Sequence, residues 1–365
     1  MKNNRTFLEK LLDGAEVEWK PLDEVANIAN NARKPVKSSL RISGNIPYYG
    51  ANNIQDYVEG YTHDGEFVLI AEDGSASLEN YSIQWAVGKF WANNHVHVVN
   101  GKEKLNNRFL YHYLTNINFI PFLAGKERAK LTKAKLQQIP IPIPPLSVQT
   151  EIVRILDALT ALTSELTSEL ILRQKQYEYY REKLLSFDSL EQLNSEGGKK
   201  KLIDVAKIKN GKDWKHLGKG NIPIYGSGGI MGYVDTYAYD KPTVLIPRKG
   251  SITNIFYLEE PFWNVDTIYY TEIDRSQILP KYFYHFMKTV DLTKLDTGSG
   301  RPSLTQAILN EIPIFVPSIE EQQRIVLILD KFETLTNSIT EGLPLAIEQS
   351  QKRYEYYREL LLNFS

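Results

Sequence analysis

Tyr177-Glu178-Tyr179-Tyr180-Arg181-Glu182 recurs as Tyr354-Glu355-Tyr356-Tyr357-Arg358-Glu359. The match extends upstream. Leu131-Thr132-Lys133-Ala134-Lys135-Leu136, followed by Ile139-Pro140-Ile141, is answered by Leu304-Thr305-Gln306-Ala307-Ile308-Leu309, followed by Ile312-Pro313-Ile314. Gln149-Thr150-Glu151-Ile152-Val153 pairs with Gln322-Gln323-Arg324-Ile325-Val326, and Ile155-Leu156-Asp157 with Ile328-Leu329-Asp330. Looser matches continue in the same order: Ile46-Pro47-Tyr48-Tyr49-Gly50 with Ile222-Pro223-Ile224-Tyr225-Gly226, Phe90-Trp91 with Phe262-Trp263, and Phe109-Leu110-Tyr111-His112 with Tyr282-Phe283-Tyr284-His285. So many matches in one order make the chain a tandem of two halves.

Each half has two textures. Around the quoted motif, apolar residues recur three or four apart: Ile152, Ile155, Leu159, Leu162, Leu166, Leu170, Tyr177, Tyr180, Leu184 and Phe187, then Ile325, Ile328, Phe332, Leu335, Ile339, Leu343, Ile347, Tyr354, Tyr357, Leu361 and Phe364. A narrow stripe at this spacing is the seam of a helical coiled coil. Pro144-Pro145 and Pro317 stand where a helix can begin. The second copy carries extra residues at Glu341-Gly342-Leu343-Pro344, where glycine and proline predict a kink or break. A helix of about 40 residues spans ~60 Å, so these segments read as spacers as well as core.

The remaining segments read as mixed α/β. Strands are expected at Phe67–Ala71, His95–Val99 and Ile268–Tyr270, and helices at Asn107–Leu114 and Pro280–Lys288. The stretch Asp188–Lys200 reads as a polar linker. The boundaries that follow are 1–143 for a first globular domain, 144–187 for a first helical spacer, 188–315 for the linker and second domain, and 316–365 for a second spacer. The fold class is α/β, a tandem of two such domains, each followed by a long helical segment.

Composition narrows the function. With 365 residues, 42% hydrophobic and 24% charged, the chain has the balance of a folded soluble protein. It has no cysteine, which removes disulfides and thiolate chemistry together. No apolar run approaches a membrane span, and Met1-Lys2-Asn3-Asn4-Arg5 opens no signal core, so a cytoplasmic protein is expected. The net charge of −1 hides a division: residues 1–140 and 199–315 are net basic, whereas 141–198 and 316–365 are net acidic. Phosphate attraction is local, so this segregation matters more than the total.

Catalytic motifs are missing. Gly226-Ser227-Gly228-Gly229-Ile230-Met231-Gly232 departs from G-x-G-x-x-G at Met231 and reads as a β-turn. Glu18-Trp19-Lys20 matches part of a nuclease pattern but has no counterpart in the second half. His95 and His97 read as a sheet-face pair, and His112 and His285 as core or capping residues. No cofactor or metal site is expected in this chain, and no catalytic residue.

What remains is basic and polar loop chemistry interleaved with aromatics. Arg33, Lys34, Lys37 and Arg41 precede Tyr49, Asn52 and Asn53; Lys212, Trp214 and Lys215 precede Tyr225 and Ser227. Lys126 and Arg128 align with Arg301 in a Gly-opened loop, and Arg248-Lys249 aligns with Glu72-Asp73. Lysine and arginine neutralise phosphates, while arginine, asparagine and glutamine can also read base edges. These are the candidate DNA contacts. Matched scaffold with unmatched loops suits two domains that read different short sequences.

Two variable α/β segments, each ending on Ile141–Pro145 or Ile314–Pro317 and running into a helix closed by Tyr177–Phe187 or Tyr354–Phe364, resemble the specificity subunit of Type I restriction–modification enzymes. The resemblance covers nearly the whole chain. It implies two target-recognition domains held apart by two long antiparallel helices in a pseudo-two-fold arrangement, and a non-catalytic subunit on double-stranded DNA, each domain reading half of a split asymmetric site while helix length sets the unread gap. It also implies two DNA adenine methyltransferase subunits as partners, carrying S-adenosylmethionine, and restriction subunits using ATP and Mg where the host has them. Tyr177, Tyr180, Arg181, Tyr354, Tyr357 and Arg358 are the candidate partner contacts. The alternative is a coiled-coil scaffold with protein- or glycan-binding domains.

Overall fold

The computed structural model describes residues 6–125, 129–192, 197–297 and 300–364. Its contacts group residues 1–166 with 347–365 as one compact unit, and residues 167–346 as another. Each unit therefore combines an α/β domain with pieces of two helical segments.

In the first unit the strands are β1 (Glu18–Pro21), β2 (Ala26–Ile28), β3 (Ser43–Tyr49), β4 (Ile54–Val58), β5 (His63–Ala71), β6 (Ile83–Ala92), β7 (Val96–Gly101) and β8 (Pro140–Ile143). Six of them form one sheet in the order β2-β7-β5-β6-β3-β4, and β1 pairs with β8. All neighbours run antiparallel except β3 and β6. The apolar run Val68-Leu69-Ile70-Ala71 is buried at every position, because β5 lies inside the sheet with both faces covered. The helix Asn107–Leu114 has the bounds its periodicity predicts and buries Phe109, Leu110, Tyr113 and Leu114. Asn106 caps it, accepting from the Arg108 and Phe109 amides.

The second unit repeats this order with β9 (Gly198–Lys201), β10 (Ala206–Lys209), β11 (Ile222–Gly226), β12 (Gly229–Val234), β13 (Thr243–Pro247), β14 (Phe256–Leu258), β15 (Trp263–Asn264), β16 (Ile268–Ile273) and β17 (Pro313–Val316). Here β10-β16-β13-β14 and β12-β11-β15 are separate sheets, and β9 pairs with β17. The helix Pro280–Met287 buries Tyr282, Phe283, Phe286 and Met287.

Leu146–Leu185 is one unbroken helix of 40 residues. The second helical segment is broken, as glycine and proline predict, into Ile319–Asn337 and Leu343–Leu362. Gly342 adopts φ +87°, a left-handed conformation that favours glycine. A Cβ there would lie 2.6 Å from the Thr334 carbonyl oxygen.

The linker expected over Asp188–Lys200 is a correction. Its start lies in a helix, Phe187–Gln192, with Leu190 fully buried, and its end pairs as β9 with β17. Leu190 and Leu193 stand among polar residues, and the strand is a run of lysines whose partner lies more than 100 residues away, so local composition did not reveal either. Residues 193–196 lie outside the described residues.

Candidate nucleic-acid interface

The repeat is written in hydrogen bonds as well as in sequence. Buried Gln149 accepts from the Asn106 amide at 2.9 Å and donates to the Lys104 and Pro144 carbonyls. Buried Gln322 accepts from the Leu279 amide at 2.8 Å and donates to the Gln277 and Pro317 carbonyls. In each unit one glutamine thus ties the start of the long helix to the start of the short one. His112 Nε2 lies 2.8 Å from Asp157, and His285 Nε2 lies 2.8 Å from Asp330. Arg108 joins the first pair and Lys281 the second. Burial works against the Asp157 and Asp330 anions, but these cationic and imidazole partners outweigh it and hold both carboxyls below the ordinary value. Burial pushes the His112 pKa down, with Asp157 opposing. The histidines are core residues, as expected.

His285, Asp330 and Glu333 place ligand atoms within 4.8 Å of one another. Lys281 already neutralises Asp330, Tyr284 donates to Glu333, and Thr160 stands at the corresponding turn of the first long helix. The Lys281 ammonium thus already stands beside one carboxylate of the cluster. His95 is exposed against Asp73, whereas His97 is buried between Asn30 and the Leu131 carbonyl.

The candidate DNA contacts divide into spent and unspent side chains. Arg33 is half-buried, bridging Glu72 at 2.7 Å and the Val96 carbonyl at 2.8 Å, and fastens its loop to the sheet. Arg41 stacks 4.1 Å from the Tyr48 ring centroid beside Asp56. Asn52 donates to the Gly74 carbonyl and accepts from the Ala76 amide and Ser82 hydroxyl. Tyr49 and Tyr225 stand edge-on to Phe90 and Phe262, half-buried, and burial raises both phenol pKa values. Trp214 packs against the cluster containing Ile224 and Trp263. Ser227 is buried. Arg248 lies half-buried near the Tyr269 ring and Lys249 pairs with Asp266.

Lys34, Lys37, Asn53, Lys212, Lys215 and Arg301 are exposed and make no ion pair among the described residues. Lys126 and Arg128 lie outside the described residues. Lys34 and Lys212 hold equivalent places. The Lys34 amide donates to Ala92 while its carbonyl accepts from the Trp91 indole; the Lys212 amide donates to Asn264 while its carbonyl accepts from the Trp263 indole. The alignment of Glu72 with Arg248 is likewise seen in the backbone, since Leu131 donates to the Glu72 carbonyl and Leu304 to that of Arg248.

The motif residues chosen as partner contacts are largely used inside the chain. Tyr177 is buried in the second unit against Phe332, its pKa pushed up to about 12, chiefly by burial, and Arg181 covers its ring. Tyr354 packs half-buried on the first unit's core, covered by Arg358, and Tyr357 meets Phe7 edge-on. Phe187 packs on Phe286 and Phe364 on Phe109. Each copy of the motif thus closes a long helix onto the α/β domain of the opposite half, which explains why both copies read alike. Tyr180 is exposed while stacking on Phe332, and Tyr179 and Tyr356 are the outward-facing tyrosines of the motif.

The family model described as Type I restriction modification DNA specificity domain matches this chain twice, over residues 15–173 and 194–349. The chain belongs to that family. The two matches follow the two halves of the repeat. A putative type I restriction enzyme specificity subunit of Haemophilus influenzae is 66% identical over 100% of both chains. The EcoR124I/EcoR124II specificity subunit of Escherichia coli is 34% identical over 98% of this chain and 97% of its own. The fold is similar to the crystal structure of a Type I S subunit from M. genitalium, with TM-score 0.66 and 20% identity over 99% of this chain and 97% of that one. The S subunit of Thermoanaerobacter tengcongensis aligns with TM-score 0.50 and 15% identity, over 95% of each chain. This specificity subunit has the two α/β recognition domains and long helices that its sequence implies. Among the described residues, no helix is long and apolar enough to cross a membrane.

Two features of the interface escaped sequence reasoning. Gln149 and Gln322 stand inside a quoted repeat, and their equal spacing from the proline ladders was the available signal. Gln55 and Met231, on the β3–β4 and β11–β12 hairpins, differ in chemistry and gave no such signal.

Proposed function

We propose that this chain is the recognition component of a Type I restriction–modification complex in which each α/β domain reads one half of a split, asymmetric site on double-stranded DNA. The observation that carries the reading is a duplicated scaffold with unlike chemistry at like positions. Lys34 and Lys212 are presented by the same backbone hydrogen bonds, whereas the matched Glu72 and Arg248 carry opposite charges. Shared lysines suit shared phosphates, and unlike loops suit unlike half-sites.

In this reading the long helices set the unread gap, and their acidic outer faces with Tyr179 and Tyr356 dock two DNA adenine methyltransferase subunits. Those subunits supply S-adenosylmethionine and take the target adenine out of the stack. Restriction subunits would add ATP and Mg. The specificity subunit contributes no catalytic residue and works in the cytoplasm.

The test is a methylation map of DNA from cells expressing an adenine methyltransferase partner with and without the chain. The expected result is a split motif, modified in each half, that appears only with the chain. A stable complex that leaves DNA unmarked would sink the reading and favour a protein- or glycan-binding scaffold.

A further inference from the structure

The two hairpins share an irregularity. In the first, Tyr48 pairs with Asp56 and Tyr49 with Ile54, so Gln55 is left as the extra residue of a β-bulge. In the second, Ile224 pairs with Gly232 and Tyr225 with Ile230, leaving Met231 in the same place. The neighbours correspond one by one. Ile54 and Ile230 are exposed, Tyr57 and Tyr233 are exposed, and Val58 and Val234 are buried. The bulged side chain leans over a glycine in both cases, since a Cβ at Gly50 would overlap Gln55 and one at Gly226 would lie 2.6 Å from the Met231 sulfur. Bulges re-aim a side chain and are over-represented at sheet edges and next to functional sites.

The first hairpin borders a cleft of about 810 Å³. Most polar groups around it are already engaged: Asn52 with Gly74, Ala76 and Ser82, His95 with Asp73, and Lys130 with Glu72. Gln84 holds the hairpin turn from below through the Gly50 and Ala51 carbonyls. The Gln55 side chain is exposed and makes no hydrogen bond among the described residues. The turn thus offers two unspent amides, Asn53 and Gln55, of which Gln55 stands at the bulge. In the second hairpin the turn is held by Asn254 and Thr267, and the corresponding side chain is an exposed thioether.

We infer that Gln55 and Met231 are equivalent specificity-determining residues, the first reading an adenine edge and the second a thymine methyl in their respective half-sites. A carboxamide matches the paired acceptor and donor of adenine in the major groove, and an apolar tip matches the thymine C5-methyl group. Polarisable methionine also adapts to a flat apolar contact. This inference rests on the split-site reading proposed above.

The test uses the full chain with its methyltransferase partner and maps methylation for wild type, Gln55→Ala and Met231→Ala. Each variant is expected to relax one base position, with about tenfold lost discrimination, in one half of the motif and not in the other. Gln55→Met should further shift that position from adenine toward thymine. Both positions are exposed, and thermal unfolding matched to wild type verifies that each variant is folded. A wild-type split motif that stays unchanged in all three variants overturns the inference and leaves the split-site reading standing. A wild-type chain that confers no split motif removes that reading, and the inference with it.

Discussion

The two recognition domains share a strand order, yet one sheet is whole and the other is cut. In the first unit β6 runs over Ile83–Ala92, pairing with β5 on one side and β3 on the other. In the second unit the same path is two short strands, β14 and β15, separated by Glu259-Glu260-Pro261-Phe262. Proline supplies no ladder N–H, so a continuous central strand cannot pass through Pro261. The sheet therefore divides, while the parallel pairing of β11 with β15 and the bulged hairpin persist. A continuous sheet is dispensable; the glutamine clamp, the His–Asp pair and the hairpin appear in both units.

Gln149→Ala and Gln322→Ala each strip three hydrogen bonds from a buried position. Each should destabilise its own unit by roughly 3 kcal/mol, read as lost hydrogen-exchange protection confined to that unit. A large loss for one and none for the other would show that matched bonds do not carry matched energies.

A smaller and one-sided effect is expected at Gly342, since the first long helix has no such break. Gly342→Ala forces a Cβ into left-handed backbone and toward the Thr334 carbonyl. It should cost about 1–2 kcal/mol in thermal unfolding. An unchanged melting temperature would mean that the break can re-form as continuous helix.

His63, His97 and His112 of the first unit are all held below the ordinary histidine pKa of 6.5, with burial the largest cause in each. As pH falls below about 6.5, the unfolded segment binds protons that the folded one refuses. The first unit should therefore lose protection between neutral pH and the lowered folded values, after correction for intrinsic exchange rates. The second unit, followed in the same sample, is the reference. Equal losses in both would assign the effect to something other than these three rings.

Much of this was legible in the chain. Repeat matching marked the two halves, the 3.5-residue stripe marked the long helices, and Gly342 and Pro344 marked the break, because periodicity and backbone restriction are local properties. The helix Asn107–Leu114 was legible for the same reason. The candidate site was less so. Arg33, Arg41 and Asn52 have the composition of DNA contacts, yet each is spent on fastening a loop, and only partners distant in sequence reveal that. Tyr177 and Tyr354 stood out as a motif, but a repeated aromatic can face a partner or a core.

Side-chain periodicity and the order of motifs make the molecule one α/β-plus-helix pattern used twice, since neither needs a third dimension. The tertiary structure decided which residues close each pattern. The Tyr-Glu-Tyr-Tyr-Arg ending of each helix packs on the other half's domain, Leu190 joins a core, and Gln55 keeps a free amide while Asn52 does not. Those outcomes depend on which surfaces meet across long stretches of chain, and burial and hydrogen-bond partners exist only once they have met.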